Sequence, residues 1–281
     1  MTEQPENDPC RKSLEVTREM AMACIPAAFT YTVSIFHEIE RKGHLKAENF
    51  GSGVLAKIQG KPFLLTAGHV LDDVLQYTEV ALSGLEPGSK GVRLLYEAYA
   101  TNWPPGTERP DDEDFVDIAA FRLCEEIAKA LSERFMPEEL FELNDAELIG
   151  NQYLIYGFPA NIRRGKFFNR TARAKAYPYL TSLYRLERGE PKDYDRTAEV
   201  LVDYSRKETL SEDFHLQTAP HPQGMSGCGI WRMYSADHQG ESWDGSAMRL
   251  VGLSHTYCEK LKVIRGTRIS LFNEMIREHL L

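Results

Sequence analysis

Along the first quarter of the chain the spacing of apolar side chains changes from helical to alternating. In RKSLEVTREMAMACI, residues 11–25, apolar positions recur at helical spacing among strong helix formers, and Pro26 marks the predicted end of that helix. From Phe29 the period falls to two: Phe29, Tyr31, Val33 and Ile35 alternate with small or polar residues, which predicts a strand. The run GSGVLAKIQGKPFLLTA follows. Gln59, Gly60, Lys61 and Pro62 separate its two apolar stretches, so it reads as a hairpin whose second strand ends beside His69.

Short strands are predicted again at Val92–Tyr96 and Asp117–Leu123, on either side of a Pro-rich acidic loop, NWPPGTERPDDED. Residues 125–148, EEIAKALSERFMPEELFELNDAEL, turn helical or mixed around Pro137 and read as a connection between two lobes. Strand signals resume at Gln152–Phe158, Phe167–Ala176, Ala198–Tyr204, Phe214–Gln217, Gly229–Met233 and Met248–His255. In the closing TRISLFNEMIREHLL, Ile269, Phe272, Met275, Ile276 and Leu280 share one helical face. Many short strands in two groups, a helical crossover and a final helix predict an all-β chain of two packed barrels or sandwiches. Its 281 residues, 42% of them hydrophobic, suffice for that core.

Charge and cysteines narrow the function classes. A net charge of -9 gives no global footprint for nucleic acid or an anionic membrane, and the basic-aromatic segment RRGKFFNRTARAKAY reads as a twisted strand pair with solvated Arg and Lys. The opening MTEQPENDPCRKSLEV lacks the basic start and apolar core of a secretory signal, and no apolar run approaches the roughly 18 residues of a membrane span. A cytoplasmic location is expected. Cys10, Cys24, Cys124, Cys228 and Cys258 are odd in number and form no CxxC pair, so free thiols in a reducing compartment are expected.

Three stretches carry candidate chemistry: TAGHVL with His69, DFVDIAAFRL with Asp117, and PQGMSGCGIW with Ser226. Gly224, Ser226 and Gly227 lie in a tight turn that can leave the serine oxygen exposed and aim backbone N–H groups at one point. The N–H groups of Gly224 and Ser226 are the candidate oxyanion donors. A serine hydroxyl needs a base within hydrogen-bond reach, which His69 can supply. That histidine in turn needs a carboxylate to fix its tautomer. Asp117, at the start of an apolar run, is the first candidate, and Asp114 in the acidic loop is the alternative. Taken singly, each residue is commonly only a turn or strand-end residue.

These stretches resemble the trypsin-like, chymotrypsin-fold serine peptidases. TAGHVL is similar to their TAAHC-type histidine motif, VDIAAFRL to their Asp-Ile-Ala strand and QGMSGCGIW to their Gly-x-Ser-Gly-Gly loop, in the family's chain order of His, Asp, Ser. The likeness runs from about residue 29 to the end and is greatest to the disulfide-poor bacterial members. It implies two six-stranded antiparallel β-barrels: residues 1–28 an extension with a short helix, 29–124 the first barrel with His69 and Asp117, 125–148 the connection, and 149–281 the second barrel with Ser226 and a C-terminal helix. Two departures stand out. Cys228 occupies a usual glycine position, which implies altered packing and a less suitable nucleophile than Ser226, and residues 1–28 contain no Arg-Ile-Val-Gly-Gly-like activation junction.

The implied activity is cleavage of protein or peptide substrates through an acyl-enzyme, with no metal or cofactor, no nucleic acid and no membrane. A regulatory protein partner could relieve a latent oxyanion hole. The family's specificity pocket maps onto Thr218–Gln223 and Ser254–Tyr257, with Pro220, His221, Ser254 and His255 as candidate walls. TAPHPQ holds no aspartate to favour basic residues, whereas His221 and His255 could receive an acidic side chain. A catalytically silent binding module and an esterase or amidase using the same triad are the alternative readings.

Overall fold

The computed structural model describes residues 9–41, 44–76, 80–83, 98–100, 116–144, 152–160, 176–207, 209–210, 216–233 and 245–281. The elements run α1 (Pro9–Tyr31), β1 (Thr32–Arg41), β2 (His44–Ile58), β3 (Lys61–Thr66), α2 (Gly68–Leu75), β4 (Ala81–Leu82), β5 (Ala98–Ala100), β6 (Ala119–Arg122) and α3 (Glu125–Ala130). They continue with β7 (Met136–Pro137), β8 (Tyr153–Gly157), β9 (Tyr177–Thr181), β10 (Glu199–Asp203), β11 (Thr209–Leu210), β12 (Leu216–Gln217), β13 (Gly229–Arg232), β14 (Arg249–Cys258), β15 (Val263–Arg268) and α4 (Ile269–His279). Val92–Tyr96, the acidic loop with Asp114, and residues 161–175 lie outside the described residues.

Two curled sheets form the frame. The first has the order β4-β1-β2-β3-β6-β5, with β7 pairing in parallel to β2, and the second has the order β10-β15-β14-β13-β8-β9. Each path holds six antiparallel strands, which with the helices at both ends gives the two-barrel, chymotrypsin-like architecture expected. The β2–β3 hairpin turns on Gln59 and Gly60 alone, with φ of 47° and 78°, and Ile58 faces Lys61. Positive φ at both central residues is the primed turn that matches strand twist.

Each curled sheet encloses its own core. Val33, Ile35, Leu55, Leu64, Val70 and Phe121 fill the first, and Ile155, Tyr179, Val202, Tyr204, Ile230 and Ile264 fill the second. A third cluster joins the two sheets, with Val54, Phe63 and Ile118 against Leu154, Trp231 and Leu253. Both terminal helices pack into it. The predicted face of α4 is buried throughout, at Ile269, Phe272, Met275, Ile276 and Leu280.

The first helix departs from expectation. It does not stop at Pro26 but runs to Tyr31, so Phe29 and Tyr31 are helical and the strand begins at Thr32. Packing outweighs the proline, because Met20, Ala21, Cys24 and Ala28 are all buried on one face of α1. The N–H that Pro26 lacks would have met the carbonyl of Met22, a residue that is 60% exposed. The connection also differs in detail: Met136–Pro137 joins the first sheet as β7 beside Ala56 and Lys57.

Arg134 closes the C-terminal end of α1. Its Nε donates to the carbonyl of Thr30 at 2.9 Å, its Nη2 to Phe29 at 3.2 Å and Thr32 at 2.8 Å, and its Nη1 to Ser83 at 2.9 Å. The guanidinium thus satisfies carbonyls that the helix end leaves open. Arg134→Met keeps the apolar stem and removes every donor, and should lower unfolding free energy by about 2–4 kcal/mol. Urea unfolding followed by circular dichroism measures this, and an unchanged midpoint would contradict the clamp.

Candidate active site

His69 sits on the first turn of α2. Val70, Leu71 and Val74 are buried in the first core, which fixes the helix rotation and leaves the His69 side chain 38% exposed. Asp117 arrives from the neighbouring strand. Thr66, the last residue of β3, pairs with Ala119, the first of β6, so Asp117 lies beside the turn that leads from Thr66 to His69. The contact is double: Asp117 Oδ2 is 2.7 Å from His69 Nδ1, and Oδ1 accepts the His69 backbone N–H at 3.0 Å. Gly68 lets the two approach, since a Cβ there would lie 2.9 Å from Asp117 Oδ1.

Asp117 is 3% exposed. Burial pushes its carboxyl up, but the hydrogen bonds and charge of His69, with a further charge contribution from His255, outweigh that and hold it at about 2. It is therefore ionised at neutral pH. A carboxylate on Nδ1 keeps the ring proton there and makes Nε2 the basic nitrogen.

Ser226 lies in the turn before β13, and β2 braces that turn. Ser52 N–H donates to the Ser226 carbonyl at 2.7 Å, Ser52 Oγ to the Gly224 carbonyl at 3.1 Å, and Asn49 Nδ2 to the same carbonyl at 3.4 Å. Gly227, at φ 83°, passes so close to β2 and β3 that a Cβ would fall 2.1 Å from both the Ser52 carbonyl and Thr66 Oγ1. Only glycine meets both conditions, and the packing brings the Ser226 turn against the strand end that precedes His69. The Ser226 hydroxyl donates to the His255 carbonyl at 3.3 Å. The Gln223 carbonyl accepts the Ala160 N–H at 2.7 Å, so the Gly224 N–H of that trans peptide points the other way.

Cys228 is fully buried, and burial pushes its thiol up to about 12 despite a contact with Ser254 Oγ at 3.1 Å. A thiol so held supplies no thiolate at neutral pH, which removes it as a nucleophile. Gly157 leaves the space it occupies, for a Cβ there would lie 2.6 Å from that of Cys228. Cys24, Cys124, Cys228 and Cys258 are all free thiols.

The candidate pocket residues have distinct surroundings. The Pro220 carbonyl accepts the Tyr204 hydroxyl at 3.0 Å. His221 Nδ1 accepts the Gln223 N–H at 3.3 Å, and its ring meets Tyr257 edge-on at 5.8 Å. Ser254 is 3% exposed and its Oγ donates to the Met225 carbonyl at 2.8 Å. The His255 ring is buried, with Nε2 3.1 Å from Glu199.

Sequence reasoning missed Asn49, Ser52, Ala160 and Glu199. Gly51-Ser52-Gly53 within a strand was the available signal for the first two, because interior strand glycines mark close backbone approach. A Cβ on Gly51 would indeed lie 2.8 Å from the Ser226 carbonyl.

No protein-family model and no curated protein matches the chain. Among solved structures it is similar to GrC, at TM-score 0.50 and 15% identity over 91% of this chain and 96% of that one. It also aligns with the serine protease domain of the Sesbania mosaic virus polyprotein, at TM-score 0.43 and 16% identity over 90% and 92% of the two chains. At such identities the likeness is one of fold. Among the described residues no helix is long and apolar enough to cross a membrane. The chain has a two-barrel, chymotrypsin-like architecture and sets a buried Asp117 against a part-exposed His69, a contact consistent with a catalytic dyad.

Proposed function

We propose that this chain is a serine endopeptidase in which Ser226 is the nucleophile, His69 the general base and acid, and Asp117 the residue that orients His69. The double contact of Asp117 with His69 carries the reading, because it sets both the tautomer and the ring position that proton transfer at Nε2 needs. Ser226 Oγ attacks the carbonyl carbon of the scissile bond and its proton passes to His69 Nε2. The N–H groups of Gly224 and Ser226 receive the oxyanion. His69 then returns the proton to the leaving amine, and water repeats the sequence on the acyl-enzyme to release the acid.

The bond from Ala160 to the Gln223 carbonyl supports a hole formed without an activating partner. Protein or peptide substrates would bind against Pro220, His221 and the backbone of Ser254 and His255, whose side chains are buried. His221 is the wall suited to an acidic side chain, since the Ser254 and His255 side chains are engaged elsewhere.

Labelling with a fluorophosphonate probe, followed by peptide mapping, tests the assignment. A single adduct on Ser226 is expected. No adduct would instead support a silent binding module, and an adduct with hydrolysis of small esters but not of proteins would support an esterase.

A further inference from the structure

Behind the Ser226 turn lies a buried charge cluster that the proposed chemistry does not use. Glu199, on β10, is 7% exposed, and Arg265 on β15 grips both its oxygens: Nη2 is 2.8 Å from each, and Nε is 3.1 and 3.2 Å away. Arg265 donates besides to the carbonyls of Lys192 at 3.0 Å and Asp193 at 2.7 Å. Burial raises the Glu199 carboxyl, but His255 and Arg265 more than offset this and keep it below its ordinary value.

His255 is the third member. Its Nε2 lies 3.1 Å from Glu199 Oε1, off the line of a straight hydrogen bond. Its Nδ1 is 2.9 Å from Thr256 Oγ1.

His255 is also the extra residue of a β-bulge. Ser254 pairs with Gly266 and Thr256 with Arg265, so His255 has no partner across the ladder. A bulge re-aims both the side chain and the carbonyl of its residue. Here the ring faces the Glu199–Arg265 pair, and the carbonyl accepts the Ser226 hydroxyl. Neighbouring Ser254 ties the same stretch to the Ser226 turn, accepting the Gly227 N–H at 2.6 Å and donating its own to the Cys228 carbonyl at 2.9 Å. Apolar residues of similar volume would avoid the cost of burying the Glu199 charge, so stability alone is a poor reason for the cluster.

We infer that Glu199, locked by Arg265, is a positioning residue: it stands against the His255 ring and so sets the bulge carbonyl, 3.3 Å from Ser226 Oγ, that fixes where the nucleophilic oxygen lies. Its consequence for catalysis rests on Ser226 being the nucleophile.

The test uses the full chain with Glu199→Gln, which keeps the shape and removes the charge, and His255→Asn, which keeps the carbonyl and removes the ring. Both should slow the reaction of Ser226 with a fluorophosphonate about 10- to 100-fold, as a small misplacement of a reacting group does. For a peptide substrate kcat should fall while KM holds. Amide exchange at Gly227 and Ser254 should quicken. If Glu199→Gln does not fold, His255→Asn is read in the same way. Unchanged probe rates and unchanged exchange in a folded variant would overturn the inference. Should the unsubstituted chain fail to react with the probe, the nucleophile reading falls, and exchange alone decides: faster exchange upholds the positioning role and unchanged exchange overturns it.

Discussion

Ser226→Ala should reduce peptide hydrolysis on the order of 10⁶-fold, the scale of loss when a triad nucleophile is removed. The fold should be nearly untouched. Among the described residues the hydroxyl makes one bond, to the His255 carbonyl at 3.3 Å, and losing such a bond costs about 1 kcal/mol. The carbonyl of residue 226 and its bond from Ser52 survive the substitution. A residual rate above that in water is also expected, on the order of 10³-fold, from the Gly224 and residue 226 N–H groups and from binding alone. Steady-state kinetics of the purified variant, with a thermal melt beside it, separates the two effects. A variant as active as the unsubstituted chain would mean that the chemistry lies elsewhere.

Asp117→Asn should cost about 10⁴-fold in kcat, because an amide that donates toward Nδ1 favours the wrong tautomer of His69. The variant also changes the response to acid. The folded carboxyl sits at about 2, below its ordinary 3.8, so its stabilising contribution is complete above the unfolded value and disappears as pH falls through about 2. That shift corresponds to about 2 kcal/mol. Asparagine has no such proton to bind, so the variant's unfolding free energy should fall less between pH 5 and pH 2. Urea titrations across that interval measure the slope, and parallel curves for the two proteins would contradict the assignment of the shift to Asp117.

Much of the fold was legible because its signals are local. Two apolar runs split by Gln59, Gly60, Lys61 and Pro62 marked the β2–β3 hairpin, and helical spacing marked α4. The strand β15, VIRGTR, went unread because Arg265 and Gly266 interrupt its apolar run. Arg265 is tolerated there only because Glu199 on the adjacent strand neutralises it, and no sequence window contains both. The extension of α1 through Pro26 failed for a similar reason, since the burial of Cys24 and Ala28 that overrides the proline comes from distant strands.

The candidate site divides along the same line. The sequence by itself determined which groups could do chemistry: a histidine after the strand FLLT, an aspartate ahead of AAFR, and a serine between Gly224 and Gly227, in that order. Tertiary structure alone decided what those groups touch. The pairing of Thr66 with Ala119 joins Asp117 to His69 across 48 residues, Ser52 braces the Ser226 turn from far upstream, and a bulge sets the His255 ring beside Glu199 and its carbonyl on the Ser226 hydroxyl. Residue type sets acidity and nucleophilic capacity, but hydrogen bonds reach about 3 Å, so only the register of the folded sheets selects which capacities meet.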